Sequence, residues 1–232
     1  MISPGISYLP TEENVNFIKD VPLQISFFDY QQYEKHIENI IELKNKYNIL
    51  VEVVHLPIRS TKEEFQKILD MIYKCSIKLG TKKFVIHPNK GILYFINLFE
   101  QSKVNVELCI ENFQYRKKKE LRSPLEIVER CHDNKNLRLT FDTSHAELEW
   151  FDYKIMFFLL KYTSVIHLSN KKDRQQHLPF SIQNGDLNLV AFISDLKRRY
   201  NWNGSIILEY MSDYHYKLLP NQAYLKKLLG SH

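Results

Sequence analysis

Apolar residues fall along this chain in two alternating rhythms. Short runs rich in Val, Ile, Leu and Phe recur at 5–9, 22–28, 49–55, 83–87, 104–111, 137–142, 164–169 and 205–210. Each is brief and apolar nearly throughout, which suits strands of a parallel sheet buried on both faces. Between them lie segments with a helical period. Residues 33–48 set Ile37, Ile40, Ile41 and Leu43 among charges. Thr61-Lys62-Glu63-Glu64 has capping-box spacing and opens a periodic stretch that stops at Gly80. Ser123-Pro124-Leu125-Glu126 repeats the device, with Pro124 in the first turn. Residues 186–200 and 221–230 supply the last two helices, and a short, weakly patterned one spans 11–19. Trp150, Phe151, Met156, Phe157 and Phe158 read as the core-facing stripe of a sixth helix.

Eight strands alternating with helices predict an α/β fold, a (β/α)8 TIM barrel, with an open doubly wound sheet as the rival. No Pro/Gly/Ser-rich linker divides the chain, so residues 1–232 read as one domain. The polar stretch 171–188 is long for a connection in a compact domain, and such loops often carry function.

Composition narrows the class. Of the 232 residues, 44% are hydrophobic and 25% charged, enough for a solid core and too apolar for a disordered chain. Mean hydropathy is −0.36, and no apolar run reaches the ~18 residues a membrane span needs. The first ten residues lack the basic-then-apolar layout of a signal peptide. Cys75, Cys109 and Cys131 show no disulfide spacing, so the expected setting is the reducing cytoplasm. Cys109 sits in a buried strand and is not expected to be a nucleophile. The net charge of +5 permits an anionic substrate without arguing for nucleic acid. With 6 glycines, the chain has neither a G-x-G-x-x-G nor a Walker loop.

The candidate chemistry lies at the ends of the predicted strands. His55 closes the third, His87 the fourth, Glu111 the fifth and Asp142 the sixth, while His167 lies in the seventh and Glu209 in the eighth. In a (β/α)8 barrel these ends share one rim, so residues distant in sequence converge there. Imidazoles with carboxylates suit zinc, manganese, cobalt or iron. Each residue alone also has a plain structural role open to it: a hydrogen-bonded histidine, a helix cap at Asp142, a rim ion pair at Glu209. The joint placement is what points to a metal.

The strings VVHLPI, VIHPNKG, CIENF, TFDTSHAEL, VIHLSN, HLPF…GDLNL and NGSIILEY, in that order over about 49–210, resemble the strand-end motifs of the xylose-isomerase-like barrel superfamily. That group holds sugar-phosphate isomerases and epimerases and the endonuclease IV family. The resemblance implies a divalent metal, zinc or manganese, held by Glu111, Asp142, His167 and Glu209. His55 and His87 match ligands of an additional ion in the endonuclease branch, with Glu111 bridging. His145 matches a ligand or substrate-binding histidine. Asp173 and His177 resemble the ligand pair of a third ion, giving one to three in all. The endonuclease pattern there is Asp-x-His, whereas this chain has Asp173-Arg-Gln-Gln-His177. Related barrels carry a Gly-x-Gly turn where this one has FSIQNGD.

Two reactions follow from the resemblance. In an isomerase or epimerase of a sugar or sugar-phosphate-like molecule, Glu111 and Glu209 transfer protons on opposite faces of the substrate through a metal-stabilised enediolate, with His145 on an oxygen. In a multi-metal hydrolase, an abasic-site endonuclease or a small-molecule amidohydrolase, His55 and His87 hold a second ion. A barrel that only binds its ligand is a third reading. Arg116-Lys117-Lys118-Lys119, with Lys171, Lys172 and Arg174, would give the rim a positive charge. Tyr30, Phe113 and Tyr115 could stack on bases, but the modest net charge and short loops favour a small anionic or polyol substrate over DNA. The sequence leaves the oligomeric state open.

Overall fold

The computed structural model describes residues 2–58, 61–113, 121 and 123–230. Eight strands close a barrel: β1 (Ser3–Ser7), β2 (Leu23–Ser26), β3 (Val51–His55), β4 (Lys83–Ile86), β5 (Glu107–Glu111), β6 (Leu137–Asp142), β7 (Thr163–Leu168) and β10 (Ser205–Leu208). Their order around the barrel is β1-β10-β7-β6-β5-β4-β3-β2. Every neighbouring pair is parallel, and β1 pairs with both β2 and β10, which excludes the open sheet. The fold is therefore a (β/α)8 barrel.

Local signals fix the helices. In α2 (Tyr30–Tyr47), Asp29 caps the start by accepting from Gln32 N–H, and Asn48 ends it in a left-handed conformation. Its buried residues Tyr33, Ile37, Ile40 and Leu43 follow the helical period. Glu64 reaches back to the Thr61 N–H at 2.8 Å, closing a single 3₁₀ turn ahead of α3 (Phe65–Lys78). Ser123 and Glu126 exchange the same bonds at the head of α5 (Pro124–Cys131).

The structure departs from expectation in three elements. Helix α4 (Ile92–Ser102) was not marked by the pattern, because ILYFINLFEQS is apolar on nearly every side. In α6 (Tyr153–Leu160), Met156, Leu159 and Leu160 face the core, while Phe157 and Phe158 are 44% and 42% exposed. Eight residues make barely two turns, so positions adjacent to Met156 fall on the outer side. Finally, the stretch read as a loop contains a hairpin, β8 (Asn170–Lys172) and β9 (Gln175–Leu178). The later part of that loop packs tightly: a Cβ on Gly185 would come within 2.5 Å of the Asn170 amide.

The barrel interior is layered by the period-two geometry of strands. A middle layer of Val53, Val85, Cys109, Val165 and Ile207 forms its own apolar cluster. Two residues further along these strands lie His55, His87, Glu111, His167 and Glu209, and two before lie Lys83, Glu107 and Ser205. Two bulges adjust the lower layer. Glu52 is the extra residue opposite Leu23/Gln24, and Ser164 the extra residue opposite Leu139/Thr140. Each is thereby aimed at a cation, Glu52 at Lys83 and Ser164 at Arg138.

Candidate metal centre

His55, Glu111 and Asp142 are the last residues of β3, β5 and β6, and His87 and Glu209 directly follow β4 and β10. His167 is the penultimate residue of β7. All six thus reach one mouth, at the carboxyl ends of the strands. Glu111 is the hub. Its Oε2 lies 3.2 Å from His55 Nε2, 3.4 Å from His87 Nε2 and 3.3 Å from His167 Nδ1, while its Oε1 lies 3.3 Å from His145 Nδ1. Glu209 Oε2 approaches His167 Nδ1 to 2.7 Å. Asp142 Oδ2 has His145, His167 and His177 Nδ1 around it at 3.6, 3.9 and 4.0 Å.

These spacings fit ion ligation. Two ligands about 2.1 Å from one tetrahedral ion stand about 3.4 Å apart, which is the edge length seen around Glu111. Three groups among the described residues bring their ligand atoms within 4.8 Å of one another: His55, His87, Glu111; Glu111, Asp142, His167; and Asp142, His145, His177. Asp142 Oδ2 and His167 Nδ1 are also buried with no hydrogen-bond partner among the described residues, despite the short His167–Glu209 approach, which is off-line for a hydrogen bond. Native buried polar atoms are nearly always satisfied, so orphaned acceptors beside imidazoles are what a missing cation leaves. The residues present fit a divalent ion.

Local bonds hold the candidate ligands in place. His55 Nδ1 lies 2.8 Å from the Leu56 carbonyl, an acceptor, so it carries the proton and Nε2, 3.2 Å from Glu111 Oε2, keeps the lone pair that an ion between them would use. Asp142 divides its two oxygens. Its Oδ1 accepts from Ser144 N–H, Ser144 Oγ–H and His145 N–H, capping the turn, while Oδ2 faces the mouth. Asn112, which the sequence reading missed, clamps Asp142 from both sides, accepting from its N–H at 2.7 Å and donating to its carbonyl at 3.1 Å.

The charge states follow from this crowding. Burial opposes ionisation of Glu111, but the His87 and His167 imidazoles override it and hold the carboxyl well below the usual range. Glu209 is likewise opposed by burial and brought down to about 2 by His167. Burial disfavours protonation of His145, yet Asp142 and Glu111 raise it to about 9. His167 is pushed well up by Glu209 and Glu111 against the same penalty, whereas at His87 burial wins and the shift is downward.

Beyond the four-ligand set, the structure brings His145 and His177 to Asp142 and leaves Asp173 elsewhere. Lys172 pairs with Gln175, so Asp173 and Arg174 form the two-residue hairpin turn. Asp173 is exposed there, with φ 53° and its N–H on Asp186 Oδ2. The long spacing before His177 is the hairpin itself, which returns the chain to the mouth. Of the positive rim, Lys171 Nζ donates to the Ala146 carbonyl, Lys172 and Arg174 are exposed, and Arg116–Lys119 lie outside the described residues, as does Tyr115. The Phe113 ring lies 5.4 Å from that of His87 and 5.1 Å from that of His145, so it packs on the centre, whereas Tyr30 packs on Tyr33. Cys109 lies in the apolar layer below, and burial raises its thiol far above the ordinary range, as expected for a group with no nucleophilic role. No helix among the described residues is long and apolar enough to cross a membrane.

Comparison with known proteins agrees with this geometry. Residues 90–230 match the family model described as xylose isomerase-like TIM barrel. Among solved structures, a D-tagatose 3-epimerase-like protein superposes with TM-score 0.68 at 20% identity, covering 98% of this chain and 97% of that one. The apo form of a 3-keto-D-glucoside 4-epimerase from E. coli gives TM-score 0.69 at 14% identity, covering 98% and 100%. A Thermus thermophilus protein from a ZnCl₂ soak gives 0.65 at 17%, covering 99% of each chain. No curated protein matches the chain.

Proposed function

The chain belongs to the xylose isomerase-like TIM barrel family, and from that premise we propose that it is a divalent-metal-dependent isomerase or epimerase of a sugar or sugar-phosphate-like small molecule. The observation that supports this best is the pair of ionised carboxylates, Glu111 and Glu209, brought to the same His167 nitrogen from β5 and β10. These strands lie on opposite sides of β7 in the barrel order. Proton transfer at a carbon α to a carbonyl needs such a pair, one group to take the proton and one to return it to the other face.

A divalent ion held by Glu111, Asp142, His167 and Glu209 would supply Lewis acidity toward a carbonyl and its neighbouring hydroxyl. Glu209, the more exposed carboxylate with a side chain 22% accessible, takes the proton. Glu111, ionised at rest and buried among the imidazoles, must first take up a proton, for which His145 Nδ1 lies 3.3 Å from its Oε1, and then returns it to the other face. His145 hydrogen-bonds the oxygen on which charge develops, and Phe113 walls the site against water. Lys172 and Arg174, exposed on the hairpin, favour an anionic substrate. The buried free cysteines suit work in the cytoplasm.

A second reading has one specific observation behind it. His55 and His87 both address Glu111 Oε2, the arrangement a second ion bridged by Glu111 would use, and this supports a multi-metal hydrolase of the endonuclease IV type. Metal content per chain separates the two. About one ion, zinc or manganese, with turnover on a sugar-phosphate panel supports the isomerase. Two or three ions with turnover on abasic DNA or amides, and one ion fewer in His87→Ala, supports the hydrolase. Glu209→Gln should abolish turnover of either kind and weaken metal uptake while the fold is kept; a fully metallated, active variant would overturn the assignment.

A further inference from the structure

Gln24, on β2, is a fully buried polar side chain outside the candidate ligand set. Its Oε1 lies 2.8 Å from His167 Nε2. Its amide nitrogen faces Ser26 Oγ at 3.4 Å and Ser7 Oγ at 3.5 Å, and those hydroxyls lie 3.1 Å from each other. A serine pair accepts or donates equally well, so the serines alone do not decide which end of the amide points at His167. The other side of the ring decides it. Nδ1 stands 2.7 Å from Glu209 Oε2 and 3.3 Å from Glu111 Oε2, among the candidate ligands. For Nδ1 to offer a lone pair there, the imidazole proton must sit on Nε2 and needs an acceptor. The Gln24 oxygen is the partner the structure provides.

We propose that Gln24 is a positioning residue of the metal centre, accepting the Nε2–H of His167 and so fixing both the ring plane and the tautomer in which Nδ1 is the ligand. A neutral acceptor suits this place. Glu111, Asp142 and Glu209 already bring three negative charges to the mouth, and an amide orients the imidazole without adding a fourth. Ser7 and Ser26 complete the device by holding the amide nitrogen, so that rotation of Gln24 would break contacts at both ends. The inference rests on the reading of this mouth as a metal centre. It holds equally for the isomerase and the hydrolase, since His167 is a ligand in both.

The test is zinc affinity of the full-length protein, measured by competition with a chromogenic chelator, beside the ¹⁵N spectrum of its histidines. Gln24→Met keeps the volume and removes the acceptor. It should weaken zinc binding by about 10- to 100-fold and lose the spectroscopic signature of a single Nε2–H tautomer at His167. Gln24→Glu restores an acceptor, at the cost of a fourth buried negative charge, and should recover the Nε2–H signature. Should Gln24→Met fail to fold, the pair Ser7→Ala and Ser26→Ala, which keeps Gln24 but frees its amide, should weaken zinc several-fold. Wild-type affinity and an unchanged tautomer in Gln24→Met, or in the serine pair if that is the variant measured, overturn the role given to Gln24 alone. A wild-type protein that takes up no zinc or manganese removes the metal centre and this inference together.

Discussion

The two ends of the barrel are built from the same strands with opposite logic. At the amino-terminal floor every acid has a cation. Lys83 Nζ lies 2.9 Å from Glu52 and 2.7 Å from Ser205, whose hydroxyl donates to Glu52 at 2.6 Å, and Arg138 Nε lies 3.9 Å from Glu107 and 3.2 Å from Ser164. At the carboxyl-terminal mouth, every ion pair of Glu111, Asp142 and Glu209 among the described residues is with a histidine. Imidazoles are neutral at neutral pH unless a neighbour protonates them. The floor thus carries its own cations, although Glu107 Oε2 has no hydrogen-bond partner among the described residues, whereas the mouth calls for positive charge from outside, as protons or as a metal. The apolar layer of Val53, Val85, Cys109, Val165 and Ile207 keeps the two apart.

The largest effect that would break this contrast is at the hub. Glu111→Gln should reduce metal affinity by on the order of 100-fold or more, since a ligand loss exceeds that of a supporting group, and should abolish turnover. Retained metal content, read by elemental analysis, would contradict the mouth's dependence on an external cation. Next comes the floor. Lys83→Met leaves Glu52 half-buried without its partner and should cost about 2 kcal/mol, below the fully buried limit because both groups touch solvent. Metal stoichiometry should not change, and a loss of metal in that variant would mean that the two ends are coupled. Arg138→Gln, whose pair with Glu107 is longer and a third exposed, should cost under about 1 kcal/mol in a urea titration.

The subtlest test uses pH. A histidine whose pKa rises on folding stabilises the fold below its unfolded value and loses that contribution as pH climbs through the folded one. His145, raised from 6.5 to about 9, should therefore make the metal-free protein less stable between those values. Glu209, lowered from 4.5 to about 2, acts in the other direction, contributing above 4.5 and losing its contribution as pH falls toward 2. With metal bound, the ion supplies the positive charge at Asp142 and Glu111, so His145 is no longer held protonated by them and the loss above 6.5 should vanish. Melting curves from pH 6 to 9.5, with and without a chelator, check this. A metal-free melting temperature that does not fall over this range would show that protons are not the alternative counter-charge.

Much of this molecule is written locally. The alternating rhythms gave the barrel strands with ends shifted by a few residues, because a strand buried on both faces leaves no other trace than a short apolar run. The capping boxes at Thr61 and Ser123 placed two helix starts, since a cap is made by residues three apart. The convergence of His55, His87, Glu111, Asp142, His167 and Glu209 on one mouth was legible because strand ends in a closed barrel must meet, whatever their distance in sequence; the four-ligand set among them came from the family resemblance. What only the tertiary structure decided depends on neighbours from other strands. Gln24 lies in an unremarkable run, PLQISFF, and acquires a role only because closure sets β2 across the barrel interior from β7. Asp173 stood as a ligand candidate only by resemblance to the endonuclease pattern, and hairpin pairing sets it in the exposed turn between Lys172 and Gln175. Glu52 and Ser164 face the floor because of bulges, which are set by register between strands rather than by either strand alone. Periodicity is a property of one segment and can be read from it; hydrogen-bond partners, register and the sign of a pKa shift belong to pairs of segments, and exist only once the barrel has closed.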